Sequence, residues 1–416
     1  MKCITWVVLA MLASWSALAQ ADTPLEFGKF GKLAIYQPAA EPSGVAIFVS
    51  DTPGWNPATA ELAKALLPAG AVVLGVDLPH YLAQLGNAPR ACALIGADFE
   101  ALSHRLQKQL GLRDYQVPIL VGSGAAGALL ESALATAPFD TFAGAIYLGR
   151  RELKAYACRN PRANTAAAGV LRTRTVGIAG GATAAATAAR LASSFQQLRA
   201  QAQPPRIDSP QVSDLPLTVV PAIGRSGDTL TVLLTGDGGW AGIDQQISAA
   251  VAQRGIPVVG FNTLKYFWQP HSPDEVAAAV ARVLRHYLTA WNAEHITFVG
   301  YSFGADVMPF VISRLPGDLR ARIRSVSLLG LSEYASFEVH VVNWLPGFSA
   351  KDSPVLPELA KLKDLRVLCV YGEGEADTLC PQLQNAGIRA LRIGKGHHFS
   401  GEYATIAEAI LGAGIP

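Results

Sequence analysis

Ser302 lies between two glycines in the run Gly300-Tyr301-Ser302-Phe303-Gly304, a G-x-S-x-G motif. A β-prone stretch at 296–299 precedes the motif, and a stretch that can continue as a helix, 305–315, follows it. Between a strand and a helix, this motif makes a sharp turn that exposes the serine hydroxyl at the end of a parallel sheet. We therefore predict that Ser302 is a nucleophile. The alternative is a glycine-rich turn whose serine does no chemistry.

Two adjacent histidines, His397 and His398, lie in a loop near the C-terminus and are the candidates for a catalytic base. A serine hydroxyl is a weak nucleophile at neutral pH and needs such a base to take its proton. Neighbouring side chains in a turn diverge, so only one of the two can face Ser302. We favour His397, which directly follows a glycine, and keep His398 as the alternative.

The carboxylate that orients the base is expected in the turn after a strand predicted at 366–370. This turn offers Glu375 and Asp377. We favour Asp377 because it lies where the loop re-enters regular structure, and Glu375 is the alternative. The order serine, acid, histidine along the chain is typical of α/β hydrolases.

Acyl transfer also requires backbone donors for the negative charge that develops on the carbonyl oxygen. One expected donor is the amide of Phe303, the residue after the nucleophile. The other is expected in the glycine-rich loop after a strand at 230–235, at Asp237 and Gly238. Small residues in this loop would let the backbone approach the substrate.

Three residues outside the predicted triad are candidates to face the substrate: Trp240, Tyr266 and Asp306. Asp306 has a second interpretation, as an acidic residue in the first turn of a helix, where the helix dipole favours it. An apolar segment at 331–357 is a common place for a cap and would suit a lipid ester. Ordinary core packing is the alternative for each single aromatic residue.

The chain that must position these residues looks like two distant repeats. In the first half, the strand 45–50 runs into Asp51-Thr52-Pro53-Gly54-Trp55, and in the second, 231–235 runs into Gly236-Asp237-Gly238-Gly239-Trp240. Further strands at matching positions alternate with helical stretches, a rhythm that predicts parallel sheets. The predicted fold is therefore a tandem of α/β-hydrolase-like domains, each a mostly parallel sheet flanked by helices.

The two halves differ where the chemistry would take place. With the repeats aligned, Gly124 takes the nucleophile position of the first half and Ser123 falls one residue early. No histidine follows His104 in that half. We therefore expect the first domain to lack a triad. A working nucleophile at Ser123 is the alternative.

The boundaries follow from composition. Residues 1–21 have the positive start, short apolar core and small-x-small cleavage site of a secretory signal peptide, which predicts export. Residues 22–200 form the predicted first domain and 217–416 the second. The linker between them, 201–216, is rich in proline and polar residues and is expected to be extended.

Composition narrows the partners and suggests disulfides. The chain of 416 residues has a net charge of +2 and no basic run, which argues against a nucleic-acid partner. No cofactor or metal is expected. Beyond the signal peptide, four cysteines remain, and the economical pairing is Cys92–Cys158 and Cys369–Cys380. A reduced core thiol is the alternative for Cys369.

Several motifs of the second half together resemble the VirJ family of bacterial virulence proteins. They are Gly236-Asp237-Gly238-Gly239-Trp240, Tyr266-Phe267-Trp268, Gly300 to Asp306 with Pro309 and Arg314-Leu315-Pro316, and Gly396-His397-His398-Phe399. The first half matches only in layout, which is similar to the longer AcvB-type members. The family's serine falls on Ser302 and its histidine on the pair 397–398, whereas its acid falls on either Glu375 or Asp377.

The resemblance implies a periplasmic serine hydrolase that cleaves the aminoacyl ester of lysyl-phosphatidylglycerol through an acyl-enzyme on Ser302. It implies a membrane phospholipid substrate at the periplasmic face of the inner membrane. It also implies a link to virulence and type IV secretion, with a secretion-system protein as partner. Two alternatives stand beside it: a non-catalytic periplasmic scaffold for a secretion system, and a generic carboxylesterase.

Overall fold

The computed structural model describes residues 25–85, 89–138, 140–149, 174–181, 183–203, 207–224, 227–339, 352–384 and 387–413. The predicted signal peptide, 1–21, and Cys158 lie outside these ranges, as does the side chain of Cys92. Within the described ranges, no helix is both long and apolar enough to cross a membrane.

Seven strands form the first sheet: β1 (Leu25–Phe27), β2 (Gly31–Tyr36), β3 (Gly44–Val49), β4 (Ala71–Val76), β5 (Ile119–Ser123), β6 (Gly144–Leu148) and β7 (Thr175–Ile178). Their spatial order is β1-β2-β4-β3-β5-β6-β7. Strands β3 to β7 run parallel, and β2 and β1 are added antiparallel at one edge. The helices of this domain are α1 (Pro57–Lys64), α2 (Leu78–Leu85), α3 (Pro89–Gln109), α4 (Ala126–Thr136) and α5 (Ala184–Gln201).

The second sheet also has seven strands: β8 (Leu217–Val220), β9 (Thr229–Leu234), β10 (Val258–Phe261), β11 (His295–Tyr301), β12 (Ile323–Leu329), β15 (Val367–Glu373) and β16 (Arg389–Lys395). Between β12 and β15, a two-stranded pair is formed by β13 (Tyr334–Ala335) and β14 (Ser353–Pro354). The large sheet has the order β16-β15-β12-β11-β9-β10-β8, and only β8 is antiparallel to its neighbour.

The helices of the second domain are α6 (Gly242–Gln253), α7 (Thr263–Tyr266), α8 (Pro273–Ala290), α9 (Phe303–Ser313), α10 (Gly317–Arg320), α11 (Val355–Leu359), α12 (Cys380–Leu383) and α13 (Tyr403–Ala413). The longest of them, α8, begins with a capping box in which Ser272 and Glu275 satisfy each other's backbone amides. Every residue of β3, β4 and β9 is buried, as expected for central strands covered by helices on both faces.

The two sheets repeat one another. Strands β2, β4, β3, β5, β6 and β7 of the first correspond in order to β8, β10, β9, β11, β12 and β15 of the second. A Cβ atom on Gly75 would lie 2.3 Å from the Trp55 ring, and one on Gly260 would lie 2.0 Å from the Trp240 ring. The same tryptophan therefore packs on the same strand glycine in both domains, and the predicted fold class is confirmed.

The second sheet has one strand that the described part of the first domain lacks. Strand β16 pairs in parallel with β15 and ends at Lys395, directly before the two histidines. The first sheet ends at β7, the counterpart of β15. The described first domain therefore has no strand that could carry a base to its elbow.

Part of the predicted linker is packed rather than extended. Val212 is fully buried and Leu215 is nearly so, and both belong to the apolar core of the second domain. The Arg282 side chain donates to the Gln211 carbonyl oxygen at 2.7 Å. Residues 207–216 thus fold onto the second domain, because their apolar side chains are buried against α8 and its neighbours.

The end of α3 docks the first domain onto the second. Lys108 Nζ donates to the Trp268 carbonyl oxygen at 2.6 Å and forms an ion pair with Glu338 at 3.1 Å. Trp268 is only 1% exposed, and its Nε1 donates a hydrogen bond to the Leu112 carbonyl oxygen of the first domain at 2.9 Å. A buried indole with its N–H satisfied is a well-ordered contact, so the two domains are held in a defined relation.

Candidate active site

Ser302 stands at the turn between β11 and α9 with φ 51° and ψ −120°, a conformation that non-glycine residues rarely adopt. Its amide donates to the Leu329 carbonyl oxygen at 2.8 Å. A Cβ atom on Gly300 would lie 2.6 Å from the Gly304 carbonyl oxygen, and one on Gly304 would lie 2.2 Å from the Leu234 carbonyl oxygen. Both flanking glycines are therefore required by close backbone contacts, as a nucleophile elbow demands.

His397 connects this serine to a carboxylate. Its Nε2 lies 2.7 Å from Ser302 Oγ, and its Nδ1 lies 2.5 Å from Glu375 Oε1. The loop that carries His397 follows β16 and is fixed by the Gly396 amide, which donates to the Glu373 carbonyl oxygen at 2.9 Å. Serine, imidazole and carboxylate thus form one hydrogen-bonded chain, the arrangement that activates a serine.

The structure places Glu375, the alternative acid, where the sequence analysis favoured Asp377. The Glu375 side chain is 8% exposed, and its second oxygen accepts from the Gly372 amide at 3.0 Å. Asp377 is exposed in the turn beyond it. The difference arises because Gly374, with φ 79°, turns the chain back directly after β15. Glu375 is thereby returned to the sheet edge.

A disulfide closes the loop that carries Glu375. Cys369 on β15 is bonded to Cys380 at the start of α12, which is one of the two predicted pairs. Within the closed loop, the Leu379 amide donates to the Leu331 carbonyl oxygen at 2.8 Å. The covalent link therefore restricts the loop near the acid. The other predicted pair, Cys92–Cys158, falls outside the described residues.

His398, the alternative base, is turned away from the serine hydroxyl. Its Nδ1 lies 3.0 Å from the hydroxyl of Tyr301, the residue before the nucleophile. Burial and the neighbouring His397 lower the pKa of His398. This histidine therefore supports the residue next to the elbow rather than Ser302 itself.

The charge around His397 favours its protonated form. Burial opposes that form, but the hydrogen bond and charge of Glu375, with the charges of Asp237 and Asp306, together hold the pKa of His397 above its ordinary value. A base surrounded by carboxylates is well suited to carry the proton that it takes from Ser302.

Asp306, predicted to face the substrate, instead anchors a neighbouring loop. Its Oδ1 accepts from the Ser332 amide at 2.7 Å, and burial raises the pKa of Asp306 to about 8. The loop so held contains Gly330, with φ 66°, where a Cβ atom would lie 2.8 Å from His397 Cε1. Sequence reasoning missed Gly330, whose only signal is its place directly after the strand β12.

The first domain keeps the shape of the elbow without its chemistry. Gly124 has φ 53°, close to that of Ser302, and its amide donates to the Leu148 carbonyl oxygen at 2.8 Å. The Asp51 carboxylate accepts from the amides of Thr52 at 2.7 Å and Ala125 at 3.1 Å. A Cβ atom on Gly124 would lie 2.1 Å from Asp51 Oδ2. The nucleophile position is thus blocked by a carboxylate.

This blocked site indicates which amides of the second domain can hold an oxyanion. In the repeat, Ala125 corresponds to Phe303 and Thr52 to Asp237, while Gly236 stands in place of Asp51. The two amides that bind a carboxylate in the first domain therefore have open counterparts in the second. These are two of the predicted donors, and the third, Gly238, is next in the same loop.

Asp237 brings a negative charge to this loop. Its side chain keeps an exposed surface. The surrounding protein nevertheless removes part of the water from its carboxylate, which raises the pKa of Asp237. The charge of His397 and the nearby backbone amides of Asp237 and Gly238 oppose the rise. These loop amides therefore favour a negative group beside them, as their counterparts do in the first domain.

The two aromatic candidates for substrate contact, Tyr266 and Trp240, differ in their surroundings. Tyr266 stacks on His271 with ring centroids 4.2 Å apart, and its hydroxyl donates to the Glu275 carbonyl oxygen at 3.4 Å. Trp240, besides packing on Gly260, lines a cavity of about 420 Å³ between the two domains. Of the two aromatic candidates, Trp240 is the one that lines this cavity.

The predicted apolar cap is described only in part. Phe337 packs edge-on against Phe310 at 5.2 Å, and Phe267 packs against Phe303 at 5.1 Å. These rings support the start of α9 behind the nucleophile. Val339 is buried, and the rest of the segment, 340–351, lies outside the described residues. In the ranges that the structure describes, no cluster of three or more histidine, cysteine or acidic side chains is placed to bind a metal.

Comparisons with known proteins agree with the sequence motifs. Residues 228–414 match the family described as bacterial virulence protein (VirJ). No curated protein matches the chain. Among solved structures, the chain is similar to LpqC, a poly(3-hydroxybutyrate) depolymerase from Bordetella parapertussis, with 17% identity, a TM-score of 0.35, and coverage of 50% of this chain and 88% of that one.

Two further solved structures are similar to the chain over comparable lengths. Est1E from Butyrivibrio proteoclasticus has 12% identity, a TM-score of 0.34, and coverage of 47% of this chain and 92% of that one. An alpha-beta serine hydrolase homologue from Coxiella burnetii has 14% identity, a TM-score of 0.34, and coverage of 47% of this chain and 89% of that one.

Proposed function

We propose that the protein, whose residues 228–414 match the VirJ family of bacterial virulence proteins, is a serine hydrolase that cleaves the aminoacyl ester of lysyl-phosphatidylglycerol. The observation that carries the proposal is the hydrogen-bonded chain from Ser302 Oγ through His397 to Glu375. A serine held by this chain on a strained elbow is the nucleophile of an acyl-transfer enzyme.

The proposed reaction has two stages. Ser302 Oγ attacks the ester carbonyl carbon while His397 Nε2 takes the hydroxyl proton, and the oxyanion is held by the amides of Phe303 and Asp237. Collapse breaks the ester bond, and the phosphatidylglycerol hydroxyl leaves with the proton from His397. Water, deprotonated by His397, then attacks the acyl-enzyme, releasing the amino acid and restoring Ser302.

The charge of the site supports a cationic acyl group. Glu375 and Asp237 both act on the charge of His397, so two carboxylates lie near the reacting serine. An aminoacyl ester carries an ammonium group close to its carbonyl, and negative side chains attract such a group. A neutral fatty-acyl ester would gain nothing from them.

The proposed location is the periplasm, with the lipid presented at the periplasmic face of the inner membrane. The signal-peptide pattern in residues 1–21 supports export, and the Cys369–Cys380 disulfide is of the kind that persists in oxidising compartments. The proposed partner beyond the lipid is a protein of a type IV secretion system, in keeping with the virulence role of the family.

The test is hydrolysis of lysyl-phosphatidylglycerol in vesicles by the purified protein, followed by release of free lysine. We expect release by the wild type and none by Ser302→Ala, with a neutral short-chain ester as a comparison substrate. Cleavage of the short-chain ester alone would support a generic carboxylesterase. If the wild type hydrolyses neither the lipid nor the short-chain ester, and Ser302→Ala still supports type IV secretion in cells, the result would support a scaffold.

A further inference from the structure

Glu100, on α3 of the first domain, is a buried carboxylate with no described partner. The residue is 7% exposed, and within the described chain no hydrogen bond or ion pair reaches its oxygens. Buried acidic side chains are normally paired, because an unpaired one loses its hydration and gains nothing in return. A solitary carboxylate in this environment is suited to pair with a positively charged group that the described residues do not supply.

The Glu100 carboxylate is directed at the catalytic loop of the other domain. A Cβ atom on Gly238 would lie 3.9 Å from Glu100 Oε1. The neighbouring Asp237 is close enough for its charge to act on Glu100 and on His397 alike. Two carboxylates from different domains therefore meet beside the loop that is proposed to hold the oxyanion.

The helix that carries Glu100 cannot easily turn away. His104 and Lys108 follow at intervals of four residues and so lie on the same face of α3. Lys108 is bound to Trp268 and Glu338 of the second domain, and the ring of the buried His104 packs edge-on against Trp268 at 6.0 Å. This face is thus held on the second domain, and the proximity of Glu100 to Asp237 is built into the interface.

A cavity between the two domains borders the same loop. The cavity of about 420 Å³ between the domains is bordered by Tyr115 from the first domain and by Gly238 and Trp240 from the second. An ammonium group is the natural partner of two neighbouring carboxylates, since it can donate three hydrogen bonds to them.

We propose that the first domain completes the substrate site and that Glu100, together with Asp237, binds the ammonium group of the aminoacyl substrate. This inference rests on the proposed hydrolase function and adds to it a specificity residue from the domain that lacks a triad. Glu100 would select cationic esters through binding, while Ser302, His397 and Glu375 carry out the bond cleavage.

The test compares two soluble esters, one with both amines charged and one with both neutralised by acetylation: lysine p-nitrophenyl ester and its Nα,Nε-diacetyl derivative. For Glu100→Gln we expect kcat/KM on the lysine ester to fall about 10- to 100-fold, the size of a lost charge-assisted hydrogen bond, mainly through KM. On the diacetyl ester we expect less than a two-fold change. Glu61→Gln, which alters an exposed carboxylate on α1, is the matched control and should behave as wild type.

Each outcome decides between the proposals. Equal losses on both esters would assign Glu100 a structural role and overturn the inference, as would unchanged kinetics on both. Wild-type enzyme that shows no preference for the lysine ester would also overturn it. Failure of the wild type on every ester would instead refute the hydrolase function itself. A monoacetylated pair, blocked at either Nα or Nε, then identifies which ammonium is bound.

Discussion

The Asp51 carboxylate accepts a hydrogen bond from the Ala125 amide at 3.1 Å, and in the second domain the corresponding amide, that of Phe303, has no such carboxylate beside it. One turn therefore exists in two forms within a single chain. In the first domain it is filled by an acidic side chain, and in the second a glycine, Gly236, leaves room for a substrate oxygen.

Gly236→Asp should convert the second form into the first. A carboxylate at this position is expected to accept from the Phe303 amide and to occupy the place of the oxyanion, lowering kcat by about 10²-fold or more. Gly236→Ala is the control, because a Cβ atom there would lie 3.2 Å from the Tyr301 ring and needs only a small adjustment. Comparable activity in the two variants would contradict this assignment of the donors.

Replacing Ser302 should separate activity from stability. Ser302→Ala and Ser302→Gly are both expected to lose kcat by several orders of magnitude, as removal of a triad nucleophile does. Since Ser302 has φ 51°, glycine relieves backbone strain that alanine keeps. The glycine variant should therefore be more stable to unfolding than the alanine variant by about 1 kcal/mol. Thermal melts of both proteins measure this, and equal melting temperatures would show that the turn is unstrained.

The acid can be identified by two amide substitutions. Glu375→Gln should lower kcat/KM by about 10³-fold or more, because the amide cannot stabilise the protonated imidazole. Asp377→Asn should stay within a few-fold of the wild type, since this side chain is exposed beyond the turn. A larger loss in the Asp377 variant would mean that the loop adopts a different conformation during catalysis.

The base can be identified by kinetics and pH. His397→Ala should match the loss of Ser302→Ala, with the double variant hardly worse than either single one, whereas His398→Ala should keep most activity. Activity requires neutral His397, and the charge of Glu375 holds the pKa of His397 above 6.5. The profile of kcat/KM should therefore rise with pH through a midpoint above that value. A midpoint below 6.5 would contradict the observed pairing.

Glu100 should also affect how stability changes with pH. Burial and the charge of Asp237 raise the pKa of Glu100 from 4.5 to about 8, and the phenol of Tyr115 also faces it. A carboxyl group with a raised folded-state pKa contributes stability that is fully present below about pH 4.5 and is lost as the pH rises through 8. Glu100→Gln cannot ionise and should escape this loss, so its melting temperature should exceed that of the wild type increasingly across this range. Parallel pH curves for the two proteins would show that Glu100 is not desolvated.

Local sequence patterns determined much of this protein. The glycines around Ser302, the histidine after Gly396 and the repeated loops that end in Trp55 and Trp240 are short-range signals, because a tight turn dictates its own residues. Alternating strands and helices likewise predicted the parallel sheets. The Cys369–Cys380 pair was predicted because one disulfide in each half is the simplest pairing of the four cysteines, and the structure contains this bond.

Other features were decided only by the tertiary structure. Glu375 rather than Asp377 meets the histidine because the turn at Gly374 and the disulfide set the direction of the loop, which no residue pattern encodes. Tyr266 and Asp306 are of types that could face a substrate, yet packing against His271 and the hydrogen bond to Ser332 direct them elsewhere. The position of Glu100 beside Asp237 depends on how two domains dock. Proximity between residues 137 positions apart arises from the packing of whole domain faces, and neither segment by itself carries a sign of the other.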